Sequence, residues 1–485
     1  MKSRQLLVTA LVLIVTAAHL ALATPLDDYI AAPDASYSYE LARTLTGPGY
    51  TAYVIDLKSQ TWRSDDEVDR TLWQHWLTIV RPNSATGDTA LLWINGGSNG
   101  RPAPSSAESM LVGVALATNS VIADLKMVPN QPLTFPDGGG PRHEDAIIAY
   151  TFDKYMKTED PTWPLLLPMV KSAVRAMDTI QSHLRSLDTG SLDIKKFVVS
   201  GGSKRGWTTW LTAAVDKRVT AIIPAVIDVL NMADQMRHHY AAYGFYSPAI
   251  GDYERLKIFD RLDSSGGQKI RNWVDPYEYR DRYANIPKFG VNSSGDQFFL
   301  PDSAQFYFHD LPGEKYLRYV PNTDHGLGGS DAHQSLMVFY KSILVGSPRP
   351  KFTWSVEEDG SIVVKTTTTP KEVKLWQATN AEARDFRLEK IGKVWKSSAL
   401  TDQGRGTYVG KVPDPEKGWT AFFVELTFDS GTPIPFKFTT EVHVVPHRLP
   451  FSYLPGLDSD VDVADLGTLT NHRLSRTTYT AVTVN

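Results

Sequence analysis

The chain has 485 residues, 42% hydrophobic, 11% aromatic and 21% charged. That is a globular composition, which excludes a disordered, fibrous or multi-spanning membrane chain, and the length calls for one large domain plus a smaller one. A net charge of −4 without a long Lys/Arg run provides no field for phosphates, so nucleic acid is not an expected partner, and the absence of cysteine removes thiol nucleophiles, Cys-zinc sites and disulfide scaffolds.

In chain order, Lys2 and Arg4 precede an apolar run from Leu6 to Leu22, and Ala21-Leu22-Ala23 puts small residues where a signal peptidase reads. Residues 1–23 therefore read as a secretory signal cleaved before Thr24, with an uncleaved anchor as the alternative, since a span needs about 20 apolar residues. No later stretch is as long and uncharged, so no membrane span is expected in the mature chain.

Tyr50–Leu57 and Trp73–Val80 read as early antiparallel strands. From about residue 90, apolar runs of strand length alternate with helical stretches, as in a parallel sheet covered on both faces. The strands expected are Ala90–Ile94, Ala146–Thr151, Lys196–Ser200, Val219–Ile227, Lys288–Val291 and Tyr316–Val320. Apolar residues at helical spacing predict a helix over Leu165–Leu187, and Trp207–Val215 opens a second. An aromatic-rich insertion over about 229–286 reads as a cap, the alternative being an ordinary helical excursion on the rim. The α/β domain runs to about 347. Alternating runs over 350–447, separated by Glu358-Asp359-Gly360 and Asp429-Ser430-Gly431 turns, predict a small β-sandwich, and residues 448–485 a loosely ordered tail.

The chemistry-bearing motif is Ser200-Gly201-Gly202-Ser203-Lys204-Arg205-Gly206, running from a β-branched strand into a helix. A serine nucleophile on such a turn needs small neighbours, and Ser203 occupies that place; Arg205 stands where the usual G-x-S-x-G motif has its second glycine, displaced here to Gly206. Two partners follow in the order nucleophile, acid, base: Asp296 in Ser293-Ser294-Gly295-Asp296 and His325 in Asn322-Thr323-Asp324-His325-Gly326, each just after an expected strand. Asp228, Asp302 and Asp324 are alternative acids. Asn95-Gly96-Gly97-Ser98 follows an earlier strand, so the N–H groups of Gly97 and Lys204 are the expected oxyanion donors. The side chains of Lys204 and Arg205 read either as structurally paired or as groups that meet negative charge on the reactant. No metal or other cofactor is expected, since His238-His239 and His143-Glu144-Asp145 lack zinc-helix spacing and no P-loop or dinucleotide fingerprint occurs. Asn292-Ser293-Ser294 is a glycosylation sequon.

Ser203 through Trp210, Trp93 through Gly97, Gly295 through Asp302 and Asp324 through Leu327 together resemble the PhoPQ-activated pathogenicity-related family, over about residues 26–447. The resemblance implies an α/β-hydrolase fold with a C-terminal β-sandwich and maps nucleophile, acid and base onto Ser203, Asp296 and His325. That family includes secreted autocrine proliferation repressors, so the resemblance implies export as readily as catalysis and names no substrate. The basic residue after the serine also resembles that of glucuronoyl esterases, a local analogy. Two functions are thus expected: a secreted serine hydrolase acting on a small-molecule, peptide or carbohydrate ester or amide, or an extracellular signalling protein with a receptor partner on a hydrolase scaffold.

Overall fold

The computed structural model describes residues 23–452 and 478–480. The signal segment up to residue 22 and most of the C-terminal tail lie outside the described residues. Helix α1 (Pro25–Ala31) leads into three antiparallel strands, β1 (Ser38–Gly47), β2 (Tyr50–Thr61) and β3 (Leu72–Pro82). Next come β4 (Thr89–Ile94), α2 (Ser109–Thr118) and β5 (Val121–Leu125), then a minimal ladder of β6 (Leu133–Thr134) and β7 (Pro141–Arg142). Helices α3 (Glu144–Thr158) and α4 (Leu166–Arg185) precede β8 (Lys196–Gly202), α5 (Lys204–Val215) and β9 (Val219–Ala225). After the insertion come β10 (Lys288–Ser293), β11 (Lys315–Val320) and α9 (Ala332–Leu344).

The sheet runs β1-β2-β3-β5-β4-β8-β9-β10-β11. From β5 to β11 every neighbour pair is parallel, and the chain order of β4 and β5 is exchanged in space. Antiparallel entry strands feeding such a parallel set, with helices between most successive strands, make this an α/β-hydrolase fold. All parallel strands leave the same edge at their C-terminal ends, so the loops after β4, β8, β10 and β11 gather there.

The insertion between β9 and β10 is helical: α6 (Met232–Tyr243), α7 (Gly251–Arg255) and α8 (Ser265–Val274), with single-turn segments between them. It is tied to the body where Tyr253 donates to Asp145 and Arg261 to Asp153, both on α3.

The expected strand over Ala146–Thr151 is instead part of helix α3. Ile147 through Asp153 are all buried, because α3 is enclosed between the body and the insertion. A helix covered on every side loses its apolar period, and its β-branched run then mimics a buried strand. Strand β5, five buried residues long, is the parallel strand the sequence reading left out.

Beyond residue 350, β12 (Phe352–Val356), β13 (Ile362–Thr366), β14 (Glu372–Asn380), α10 (Leu388–Ile391), β15 (Lys396–Ala399), β16 (Thr407–Gly410), β17 (Trp419–Phe428), β18 (Phe436–Thr439), β19 (His443–Val445) and β20 (Thr478–Thr480) form two layers. One is a separate sheet, β16-β13-β12-β20. In the other, β18 pairs with β11 at Leu317 and Thr439, so the layer continues the hydrolase sheet. Phe352 of the first layer meets Phe428 and Phe438 of the second, with ring centroids 5.8 Å and 6.1 Å apart, which makes the pair a sandwich with an aromatic core.

Candidate active site

Ser203 sits between the end of β8 and the first turn of α5 with φ 58° and ψ −130°. A non-glycine residue there is strained, and the surrounding backbone must hold it. Crowding leaves no alternative to the flanking glycines. A Cβ on Gly201 would lie 2.8 Å from the Arg205 carbonyl, and one on Gly206 would lie 2.6 Å from Ile227 Cγ2 and 2.9 Å from the Gly201 carbonyl. Gly206 therefore supplies the close approach that the displaced glycine of the motif suggested.

Asp296 and His325 lie in the loops after β10 and β11. Asp296 is 4% exposed, and its carboxylate receives Nδ1–H of His325 at 2.8 Å (Oδ2) and 3.0 Å (Oδ1). This contact leaves Nε2 as the basic nitrogen. Asp296 Oδ1 also accepts the Phe298 N–H at 2.7 Å. A residue the sequence reading passed over, Gln297, accepts the His325 N–H through Oε1 at 3.0 Å, so the loop after β10 holds the loop after β11 at two points. Adjacency to Asp296 was the one signal that could have drawn attention to it.

Ser203, Phe298 and Phe299 line one cavity of about 550 Å³, its open mouth included. The ring of Phe298 lies 4.3 Å from that of His325, centroid to centroid, so one wall residue of the Ser203 cavity packs against the imidazole.

The alternative acids are engaged elsewhere. Asp228 is 1% exposed and receives the hydroxyls of Tyr307 and Tyr319, each at 2.6 Å; burial pushes its carboxyl up to about 7. Asp302 joins His238 of the cap at 3.0 Å to Arg384 of the C-terminal module at 2.6 Å. Asp324 accepts the Gly326 N–H and shapes its own turn.

Gly97 has φ +140°, which favours glycine, and a Cβ there would press on Met127 at 3.3 Å. Its loop follows β4, the neighbour of β8 in the sheet. Lys204 opens α5, where an N–H has no acceptor within the helix. The Lys204 ammonium is paired, 2.9 Å from Glu144 and 3.0 Å from Asp145. Arg205 donates to Glu144 at 2.6 Å. Burial works to raise the Glu144 carboxyl, but the hydrogen bond and charge of Arg205 with the charge of Lys204 outweigh it and hold it near about 2. Of the two readings of these cations, the geometry gives the paired one.

His238 faces Asp302, and among the described residues no group of three or more His, Asp or Glu side chains is arranged to hold a metal ion. Asn292 is 4% exposed within β10, so the sequon lies inside the sheet and offers no surface for a glycan.

The family model for PhoPQ-activated pathogenicity-related proteins matches residues 26–387. The chain belongs to this family. Autocrine proliferation repressor protein A of Dictyostelium discoideum is 38% identical over 460 residues, covering 88% of this chain and 92% of the relative. Among solved structures, acetyl xylan esterase 1 from Thermoanaerobacterium sp. JW/SL YS485 aligns with a TM-score of 0.46 at 13% identity, over 66% of this chain and 91% of that one. A glucuronoyl esterase from Solibacter usitatus aligns with a TM-score of 0.37 at 15% identity, over 62% and 86%. Among the described residues of this family member, no helix is long and apolar enough to cross a membrane.

Proposed function

We propose that this protein is a secreted serine hydrolase that cleaves an ester or amide through an acyl-enzyme on Ser203. The observation that carries this reading is the buried Asp296 carboxylate on Nδ1 of His325 at 2.8 Å, with the imidazole packed on Phe298, a wall of the cavity that Ser203 borders. In the reaction, His325 Nε2 takes the Ser203 proton as Oγ attacks the carbonyl carbon, and Asp296 stabilises the imidazolium. The N–H groups of Gly97 and Lys204 receive the oxyanion, and the imidazolium returns the proton to the departing alcohol or amine. Water then repeats the sequence: its oxygen bonds to the acyl carbon and Ser203 regains its proton.

The test is labelling with a fluorophosphonate probe. An adduct on Ser203 of the folded protein, absent from Ser203→Ala, is the expected result; a folded wild type that takes no label overturns the proposal. Export rests on Lys2, Arg4 and the apolar run that follows, and is checked by sequencing the mature N-terminus, expected at Thr24.

A second reading is favoured by the name of the Dictyostelium relative, an autocrine proliferation repressor. On that reading the protein is an extracellular growth regulator whose scaffold acts through a receptor. Ser203→Ala protein added to cells separates the two: retained growth control supports the receptor reading, and its loss supports catalysis.

A further inference from the structure

The cavity beside Ser203 is walled by Phe152, Trp207, Met236, Ile250, Phe259 and Phe298. Its charged and hydroxyl lining groups, apart from Ser203 itself, are Asp145, Lys204 and Tyr253, and they satisfy one another. The Lys204 ammonium sits between the carboxylates of Glu144 and Asp145, and the Tyr253 hydroxyl donates to the remaining Asp145 oxygen at 3.0 Å. The indole N–H of Trp207 is likewise taken, by the carbonyl of Val274.

A sugar ring or a second carboxylate entering this space would leave water and find its polar atoms without partners, which is costly. An alkyl chain or aromatic ring would instead gain from leaving water at every carbon buried. The thioethers of Met232 and Met236 let the wall adapt to chains of differing shape.

Resting on the hydrolase reading, we infer that the substrate is an ester or amide bearing an apolar group of several carbons, a fatty-acyl or aromatic moiety, which fills this cavity while its carbonyl lies at Ser203. Simple acetates and carbohydrate esters are then poor substrates unless an apolar group accompanies them.

The test uses the full mature chain with two ester series, p-nitrophenyl esters of lengthening acyl chain and acetates of lengthening alkyl alcohols. In the series whose chain enters the cavity, kcat/KM rises about fourfold per methylene, equivalent to about 0.8 kcal/mol, until the space is full. Met236→Trp, which narrows the cavity, lowers the ratio of long-chain to acetate activity at least tenfold; Ile250→Phe serves the same purpose should the first variant not fold. Flat or falling profiles in both series, with Ser203 still labelled by the fluorophosphonate, overturn the apolar substrate and leave the hydrolase standing. Unchanged ratios in a folded, labelled variant overturn the assignment of the cavity. Absence of labelling in wild type removes the hydrolase reading and this inference with it.

Discussion

Glu144, at the start of α3, accepts a hydrogen bond from Arg205, in the first turn of α5, at 2.6 Å. The same guanidinium donates through Nε to the Val128 carbonyl at 2.6 Å and lies so close to Gly96 that a Cβ there would come within 2.7 Å of it. Arg205 thereby braces the loop carrying Gly97 against the turn carrying Ser203.

Replacing Arg205 with Ala, or Glu144 with Gln, is expected to loosen that loop and lower kcat on an ester substrate roughly 10- to 100-fold with little change in KM, since small misplacement of reacting groups is costly. Steady-state kinetics checks this, and equal losses in Ser203→Ala background binding of a substrate analogue would point to simple unfolding instead. Because the Glu144 carboxyl is held near about 2 in the fold against an ordinary 4.5, its contribution to stability is present above about pH 4.5 and lost as pH falls toward 2.

Asp296→Asn should reduce kcat by roughly 10³–10⁴-fold, the loss expected when the base is held in the wrong tautomer. Asp228→Asn should leave catalysis nearly intact. Its effect appears in stability: the folded carboxyl titrates near about 7, above the ordinary 3.8, so the wild type loses stability as pH rises between those values. The melting-temperature difference, Asp228→Asn minus wild type, is expected to be more positive at pH 8 than at pH 4.

Gly206→Ala places a methyl 2.6 Å from Ile227 Cγ2 and 2.9 Å from the Gly201 carbonyl. Overpacking of this kind costs about 1–3 kcal/mol, read as a lower urea midpoint, and it should move Ser203 enough to slow fluorophosphonate labelling.

His239 lies buried in the cap helix, its Nε2 accepting the Ser247 N–H at 3.0 Å. Burial, with the charges of His238 and Arg387, pushes its pKa down to about 3. A neutral imidazole in the fold and a charged one in the unfolded chain give stability that is complete above about pH 6.5 and declines as pH falls toward 3. In His239→Gln, which can keep the acceptor, urea unfolding should show a weaker decline between pH 7 and 4 than in wild type.

Arg384 reaches from the C-terminal module to Asp302, whose carboxyl burial pushes up but which the Arg384 charge, with the hydrogen bonds of His238 and Arg384, holds well below the usual range. Arg384→Met strands a buried carboxylate, and the expected loss is about 3–5 kcal/mol in urea unfolding. A loss below 1 kcal/mol would show that the module is not fastened to the cap by this pair.

Several features of the site were legible before any coordinates. Gly201 announced the tight turn because the collision it avoids is with its near neighbour Arg205, whereas Gly206 also makes room for Ile227, which only the fold brings there. The order Ser203, Asp296, His325 was readable because each residue lies in the turn or loop that follows a strand with a clear apolar run. Helix α3 was misread because packing on all sides erased its period, and the layer formed by β14, β15, β17 and β18 could not be linked to β11 because its contact, Leu317 with Thr439, spans a long stretch of chain.

The amino-acid order alone determined the α/β rhythm, the tight turn at Ser203, the glycine-bearing loop at Gly97 and the candidate acid and base, since these depend on sterics and periodicity within a few residues. The tertiary structure decided which carboxylate meets His325, that Glu144 and Asp145 neutralise Lys204, and that the cavity is left apolar. Those outcomes depend on which side chains from distant elements share a space once the sheet and cap have packed, and charge pairing and burial are properties of that shared space rather than of neighbours along the chain.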